Sequence, residues 1–412
     1  MKFLVTRINF FKRPIMTKSS IQSSNLFKPL TIGSSTVKNR IAHLPTTRTR
    51  AIKDGHVPTD LQLQYYTDRA KDGSLLITEA TLISLNQGIY PSVPGIWNQQ
   101  QAKAWKKIVD SVHENGGVIA AQLWALGRVG NAKLLKENGL PLTGPSANYE
   151  HEQAEKDAIE AGNPIQELTE EQIDDLINNQ YPNAVKLASE TANFDFVELH
   201  AANGYLFEQF IHPDINKRTD KYGGSIENRS RFLFNVLDKL FEIVDPQKVA
   251  IRISPANEFQ TPRVNPSFVE DWTYIIKELQ KRAEQGKALA FIDLVDARFN
   301  EDRTHTNIDL EFIPEIWKGI LIRGGNYTYD DKDNWAQIVE DANLDDRTLV
   351  GFGRYFIANP DLPKRIYNDE ELNDYDRSTF YSPYNYGYNT YPFLNEKLEV
   401  DPNEKRLGKS LT

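Results

Sequence analysis

Short runs of β-branched and other apolar residues alternate repeatedly with longer stretches whose apolar positions recur at helical spacing. The runs predict eight strands, over residues 39–47, 75–84, 118–127, 196–203, 249–255, 291–298, 319–327 and 348–356. Most are apolar on both faces, as strands are when helices cover one side and a core fills the other. Between them, Phe232, Val236, Leu237 and Leu240 mark one face of a helix. Thr169 with Gln172, and Ser267 with Glu270, carry the capping-box pattern ahead of helical stretches. Pro182 falls inside a long helical pattern and predicts a kink or a split there.

Eight strands, each followed by a helix, is the arithmetic of an α/β fold of the (β/α)8 TIM-barrel type. An open doubly wound sheet is the rival, but no G-x-G-x-x-G turn follows the first strand. The connection after the third strand, residues 128–168, is far longer than the usual two to six or so residues. Such an excursion lies over a barrel's mouth, as a lid or substrate wall, or else is a surface insertion without a role. The chain therefore divides into a basic tail over 1–24, disordered or processed, one barrel over 25–398, and a C-terminal tail over 399–412.

The 412 residues include no cysteine, so disulfides, thiolate metal sites and a Cys nucleophile are excluded. Any chemistry must use oxygen and nitrogen side chains or a borrowed cofactor. The net charge is −9, although residues 1–27 carry Lys2, Arg7, Lys12, Arg13 and Lys18 and no acid. So acidic a body argues against a nucleic-acid partner. No apolar run reaches the ~18 residues that a membrane span needs. The basic, acid-free start fits a transit peptide, a disordered tail or a true beginning at Met16. A cytoplasmic location is expected, with mitochondrial targeting by residues 1–24 left open.

Barrel enzymes work at the C-terminal ends of their strands, and here those ends are polar. The first runs into Pro45-Thr46-Thr47-Arg48, the third holds Gln122 and Trp124, and the fourth leads into His200-Ala201-Ala202-Asn203-Gly204-Tyr205. The fifth carries Arg252, the seventh ends Arg323-Gly324-Gly325-Asn326, and the eighth gives Gly351-Phe352-Gly353-Arg354. Glycines at the last two ends, with Asn326 and Arg354, favour a phosphate site over a plain turn. His200 and Asn203 beside Tyr205 fit an oxyanion-type clamp with a proton source, or satisfied buried polar groups. Arg252 in an apolar strand must face a buried anion or polar partner, and Gln122 needs partners such as an imide-like ring edge. One His without a carboxylate at ligand spacing is poor ligation, so no metal is expected.

At these residues the chain closely resembles the old yellow enzyme family, the FMN-dependent ene-reductases of fungal and plant type. The resemblance runs from Asn25 to about Leu398. It rests on Asn25-Leu26-Phe27-Lys28-Pro29, the Pro-x-Thr-Arg-x-Arg-Ala stretch over 45–51, Gln122-Leu123-Trp124, and His200-x-x-Asn203-Gly204-Tyr205-Leu206. It also rests on Arg218-Thr219-Asp220-x-Tyr222-Gly223-Gly224-Ser225-x-Glu227-Asn228-Arg229, Arg252-x-Ser254-Pro255, and the Gly351-x-Gly353-Arg354 segment continuing to Leu362. Thr46 stands where the family commonly has a large apolar residue, and residues 128–168 and 298–306 diverge most.

The resemblance implies FMN held by Pro45, Thr47, Ala80, Gln122, Arg252, Gly325, Asn326, Gly353 and Arg354. Thr47 would face a flavin carbonyl near N5, Gln122 the pyrimidine edge, Arg252 the N1 side and Ala80 the ring, with the last four residues on the phosphate. His200 and Asn203 would hold the carbonyl oxygen of an α,β-unsaturated substrate, and Tyr205 would protonate its α-carbon. Trp124, Phe259 and Tyr381 would line the substrate pocket or serve as ordinary wall packing. The implied reaction is ping-pong, with NADPH as hydride donor and an activated alkene as acceptor. Two rivals remain: a flavin-binding sensor or partner-binding protein with little turnover, and a flavin-free barrel isomerase or aldolase acting on a sugar phosphate. A homodimer stays open.

Overall fold

The computed structural model describes residues 18–297, 308–325, 327 and 335–412. Eight parallel strands form the barrel: Ile41–His43 (β1), Leu75–Ile77 (β2), Val118–Trp124 (β3), Phe196–Ala201 (β4), Val249–Ile253 (β5), Ile292–Val295 (β6), Leu321–Gly324 (β7) and Thr348–Phe352 (β8). Each pairs with the next, and β8 against β1 closes the ring. All eight expected strands are present, and each ends earlier than its apolar run does. The second run breaks after Ile77 and resumes as Thr81–Leu82 beside the end of β3.

Side chains alternate along a strand, so every second residue faces the barrel interior. Ala42, Leu75, Ile77, Val118, Ala120, Phe196, Ala250, Ile322 and Leu349 form one buried apolar cluster there. Ile32 and Val37, from a hairpin ahead of β1, belong to the same cluster and plug its N-terminal end. One inward step further along every strand but β2, the residues become Leu44, Gln122, Glu198, Arg252, Asp293, Gly324 and Gly351. An apolar floor thus gives way to a polar layer below the mouth. The outward strand residues Leu76, Ile119, Ala121, Leu199 and Ile251 pack with Trp105, Phe232, Leu237, Trp272 and Ile276 of the surrounding helices.

Leu44 explains two of the strand-end glycines. A Cβ on Gly324 or Gly351 would lie 2.5 Å from a Leu44 methyl, closer than packed carbons come. We expect Gly351→Ala to destabilise the fold by about 1–3 kcal/mol through this overpacking, read as a lower urea midpoint at unchanged m-value.

Local signals were met unevenly. Thr169 caps its helix, its hydroxyl accepting from the Gln172 amide while the Gln172 side chain accepts from the Thr169 amide. Ser267 precedes the helix Phe268–Glu284 but forms no cap, contrary to expectation. Its hydroxyl lies 3.1 Å from both Asn265 Oδ1 and Asp271 Oδ2, and Asp271 is held in turn by Arg229. At Pro182 the helix widens rather than breaks. The turn Leu176–Gln180 is π-helical, Tyr181 N–H reaching back to Leu176 O, and Pro182 opens the next α segment where no amide is needed.

The packed chain extends ahead of Asn25: Lys18–Ser23 is a helical turn with Ile21 buried. At the other end, Lys409 N–H donates to Asp60 Oδ1 at 2.7 Å and Leu411 N–H to Pro58 O at 3.2 Å. None of the described helices is long and apolar enough to cross a membrane.

Candidate active site

The ends of β1, β5, β6, β7 and β8 surround a cavity of about 270 Å³. Leu44, Thr46, Arg252, Asp296, Gly325, Gly353 and Arg354 are among its lining. Arg252, Gly325, Gly353 and Arg354 therefore meet around one space. Gly325 is hemmed in by the Asp296 carbonyl, 2.5 Å from where a Cβ would be, whereas Gly353 faces nothing nearer than Thr46 Cγ2 at 3.4 Å. Asn326 and residues 298–306 lie outside the described set. Pro45 and Thr47 are half-buried on the loop after β1.

Beneath this cavity is the polar layer. Gln122 Nε2 donates to Glu198 Oε1 at 2.7 Å. Arg252 is paired with Asp293, its register partner on β6, through a short ion pair. One guanidinium thus serves two fully buried carboxyl groups, Glu198 and Asp293, whose second oxygens have no hydrogen-bond partner among the described residues. Burial pushes both carboxyls up from the usual range, Glu198 well up because Asp293 also repels its charge. Of the pair, Glu198 is the carboxyl pushed further toward its protonated form. Its contact turns the Gln122 amide so that the carboxamide oxygen faces away from it.

The end of β4 builds the second half of the site. His200 stands across from Arg252 in the strand register. Burial, and then the Arg252 charge, hold its imidazole well below its ordinary pKa, so it is neutral. Asn203 and Gly204 follow with φ of 58° and 75°, two consecutive left-handed residues that turn the chain sharply. This turn brings the Tyr205 ring edge-on to both His200 (centroids 4.8 Å) and Trp124 (5.0 Å). Burial raises the Tyr205 phenol to about 12, with a hydrogen bond from Gln260 opposing. Ala80 is buried with Trp124 and Leu82, and Tyr205 packs against that cluster.

The expected wall residues divide. Trp124 is buried, while Phe259 and Tyr381 are 63% and 66% exposed, at the rim rather than in a wall. Tyr90, which the sequence reading overlooked, lies 6.0 Å from Trp124 between centroids and feels the Tyr381 phenol. Glu198, Asp293, Glu208 and Gln260 were overlooked too, and Thr46, noted in the sequence only as a departure from the family, lines the cavity. Glu198 and Asp293 carry the same signal that exposed Arg252, a charge at an inward position of an apolar strand. A larger cleft, about 690 Å³, opens within the 128–168 excursion between Lys133, Lys136, Glu150 and Asp157. It gathers none of the predicted strand-end residues, so the chemistry belongs to the smaller cavity. The excursion nonetheless touches the site: Arg128 Nη2 donates to Gln260 O at 2.9 Å.

Thr46 Oγ1, Trp124 Nε1 and His200 Nδ1 are buried without a hydrogen-bond partner among the described residues. Together with two guanidiniums, an open glycine and an oriented carboxamide, they describe a receptor for a polar heterocycle with an anionic tail. Such a site at the mouth of a (β/α)8 barrel defines a cofactor-binding barrel protein. Residues 25–373 match the NADH:flavin oxidoreductase / NADH oxidase family. The chain is 48% identical over 400 residues to a "Probable NADPH dehydrogenase" of Candida albicans, covering 94% of each. It is 38% identical to "Enoate reductase 1" of Kluyveromyces lactis, covering 95% of this chain and 98% of that one. The crystal structure of Old Yellow Enzyme from Pichia sp. AKU4542 superposes with a TM-score of 0.89 at 43% identity, over 95% of this chain and 100% of the other. The protein belongs to this family of FMN-dependent oxidoreductases, the old yellow enzymes. The residues around the cavity fit FMN.

Proposed function

We propose that the enzyme reduces the activated C=C bond of α,β-unsaturated carbonyl compounds, taking its electrons from NADPH. The observation that carries this reading is the trio at the end of β4: a neutral His200, a turn-borne Asn203 and a protonated Tyr205, gathered beside Arg252. Bound FMN supplies two-electron hydride chemistry. Gly325, Gly353 and Arg354 would hold its phosphate, with Asn326 assigned there from its sequence position. Gln122, oriented by Glu198, would meet the imide edge, and Arg252 would place positive charge on the N1 side of the same ring, where it would tune the group's redox chemistry. Pro45, Thr47 and Ala80 line the ring.

His200 and Asn203 donate to the substrate carbonyl oxygen. Negative charge grows there as the β-carbon is reduced, so both donors bind the transition state more tightly than the ground state. Tyr205 then donates its phenolic proton to the α-carbon, and its pKa of about 12 keeps that proton in place at neutral pH. Trp124, Tyr90, Phe259 and Tyr381 surround the entrance. The test is an absorbance spectrum of the purified protein, titrated under nitrogen with NADPH and then with 2-cyclohexenone. The flavin bands should bleach and then return. A colourless protein overturns the reading, and a bleached flavin that every enone leaves unchanged assigns the chain to a sensor role instead.

A further inference from the structure

The turn that presents Asn203 and Tyr205 is held by a carboxylate behind it. Glu208 is buried on the short helix Leu206–Ile211 that follows the turn. Its Oε2 accepts the Gly204 amide at 2.9 Å and the Ser254 hydroxyl at 2.8 Å. The Ser254 oxygen accepts the Asn203 amide at 2.8 Å in turn. One carboxylate oxygen thus anchors both left-handed residues, Gly204 directly and Asn203 through Ser254. The turn's outer side is held independently, by Gln260 Nε2 donating to Asn203 O at 2.6 Å.

Taking the function above as its basis, we propose that Glu208 is a positioning residue for the carbonyl clamp: its ionised carboxylate, acting with Ser254, fixes the turn that aims Asn203 and Tyr205 at the substrate. Two consecutive left-handed residues, Asn203 at φ 58° and Gly204 at φ 75°, make a sharp turn that needs an external hold. Hydrogen bonds to an ionised carboxylate are about twice as strong as neutral ones, so the hold weakens when Glu208 takes a proton. Burial raises this carboxyl to about 7, against the hydrogen bonds from Gly204, Ser254 and Asn257. The titratable groups on surrounding elements are His200, Tyr205 and His212 on its own segment, Arg252 on β5, Arg263 beyond it and Arg128 behind β3. None is among the causes of that shift.

Two consequences follow with opposite signs. Because the folded carboxyl keeps its proton to a higher pH than the unfolded one, folding stability falls as pH rises from the ordinary carboxylate range to about 7. Over the top of that range the clamp tightens. Glu208 therefore trades stability for substrate grip, which a merely structural acid does not.

The experiment uses the FMN-loaded enzyme and its Glu208→Gln and Ser254→Ala variants. After reduction with NADPH, single-turnover reoxidation by 2-cyclohexenone is followed across neutral pH to give the enone Kd, alongside thermal melting of each protein. In the unsubstituted enzyme the Kd should rise as pH falls through about 7. Glu208→Gln should bind the enone about five- to tenfold more weakly above neutrality, lose the pH step, keep its flavin spectrum and melt higher than the parent at alkaline pH. Ser254→Ala should weaken the enone while leaving flavin content unchanged. A Glu208→Gln enzyme with the parent's Kd or the parent's pH step overturns the proposal. Should that variant fail to fold, an unchanged Kd in Ser254→Ala overturns it as well. If the parent itself is never reoxidised by the enone, it is the proposed function that fails, not the role of Glu208.

Discussion

Tyr205→Phe should leave reduction of the flavin by NADPH near the parent rate and slow reoxidation by cyclohexenone about 10²–10⁴-fold, the range for loss of a general acid. The substitution removes one oxygen and little else. The ring keeps its edge contacts with His200 and Trp124, so the pocket's shape and flavin content should hold. What disappears is the proton destined for the α-carbon. Reduction by NADPH asks no proton of this residue, so the two half-reactions should separate in stopped-flow traces. Equal slowing of both would remove Tyr205 from its role. The phenol's raised pKa adds a second check. Its ionisation lies above the physiological range, so the enone half-reaction should show no fall from Tyr205 deprotonation below about pH 10, and any step near neutrality belongs to another group.

Much of this geometry was readable because β-strands obey a two-residue period. Once Arg252 is placed at an inward position, the steps Phe196–Glu198–His200 and Phe291–Asp293 put their acids in the same layer. Glu198 and Asp293 could have been named by that rule. Glu208 could not: it reads as an ordinary acid in the first turn of a helix, and its partner Ser254 comes 46 residues later. The strand-end glycines illustrate a different limit. Their positions are legible, but only the fold distinguishes Gly351, which makes room for Leu44, from Gly353, which opens to the cavity. Ser267 misled for a related reason: a cap depends on which acceptor its hydroxyl finds, and Asp271 lies closer to hand than the helix amides.

Removing both clamp donors should have the largest effect on ligand recognition. His200→Ala with Asn203→Ala should abolish the long-wavelength charge-transfer band that a bound phenol gives with the flavin, and should reduce enone turnover by at least the 10²–10³ or so associated with one oxyanion donor. The argument depends on the charge state of His200. A protonated imidazole would bind a phenolate chiefly by charge, and a distant lysine or arginine could partly replace it. Burial and Arg252 keep this imidazole neutral, so its contribution is a directed N–H, which no remote cation supplies. Asn203 needs a control of its own, because Ala at φ 58° adds backbone strain that Asn tolerates better. Asn203→Gly deletes the same amide without that strain. Paired with His200→Ala it should lose the band equally, whereas a band that survives in the glycine pair but not the alanine pair traces the loss to the backbone. A band that survives in both places the clamp elsewhere in the mouth.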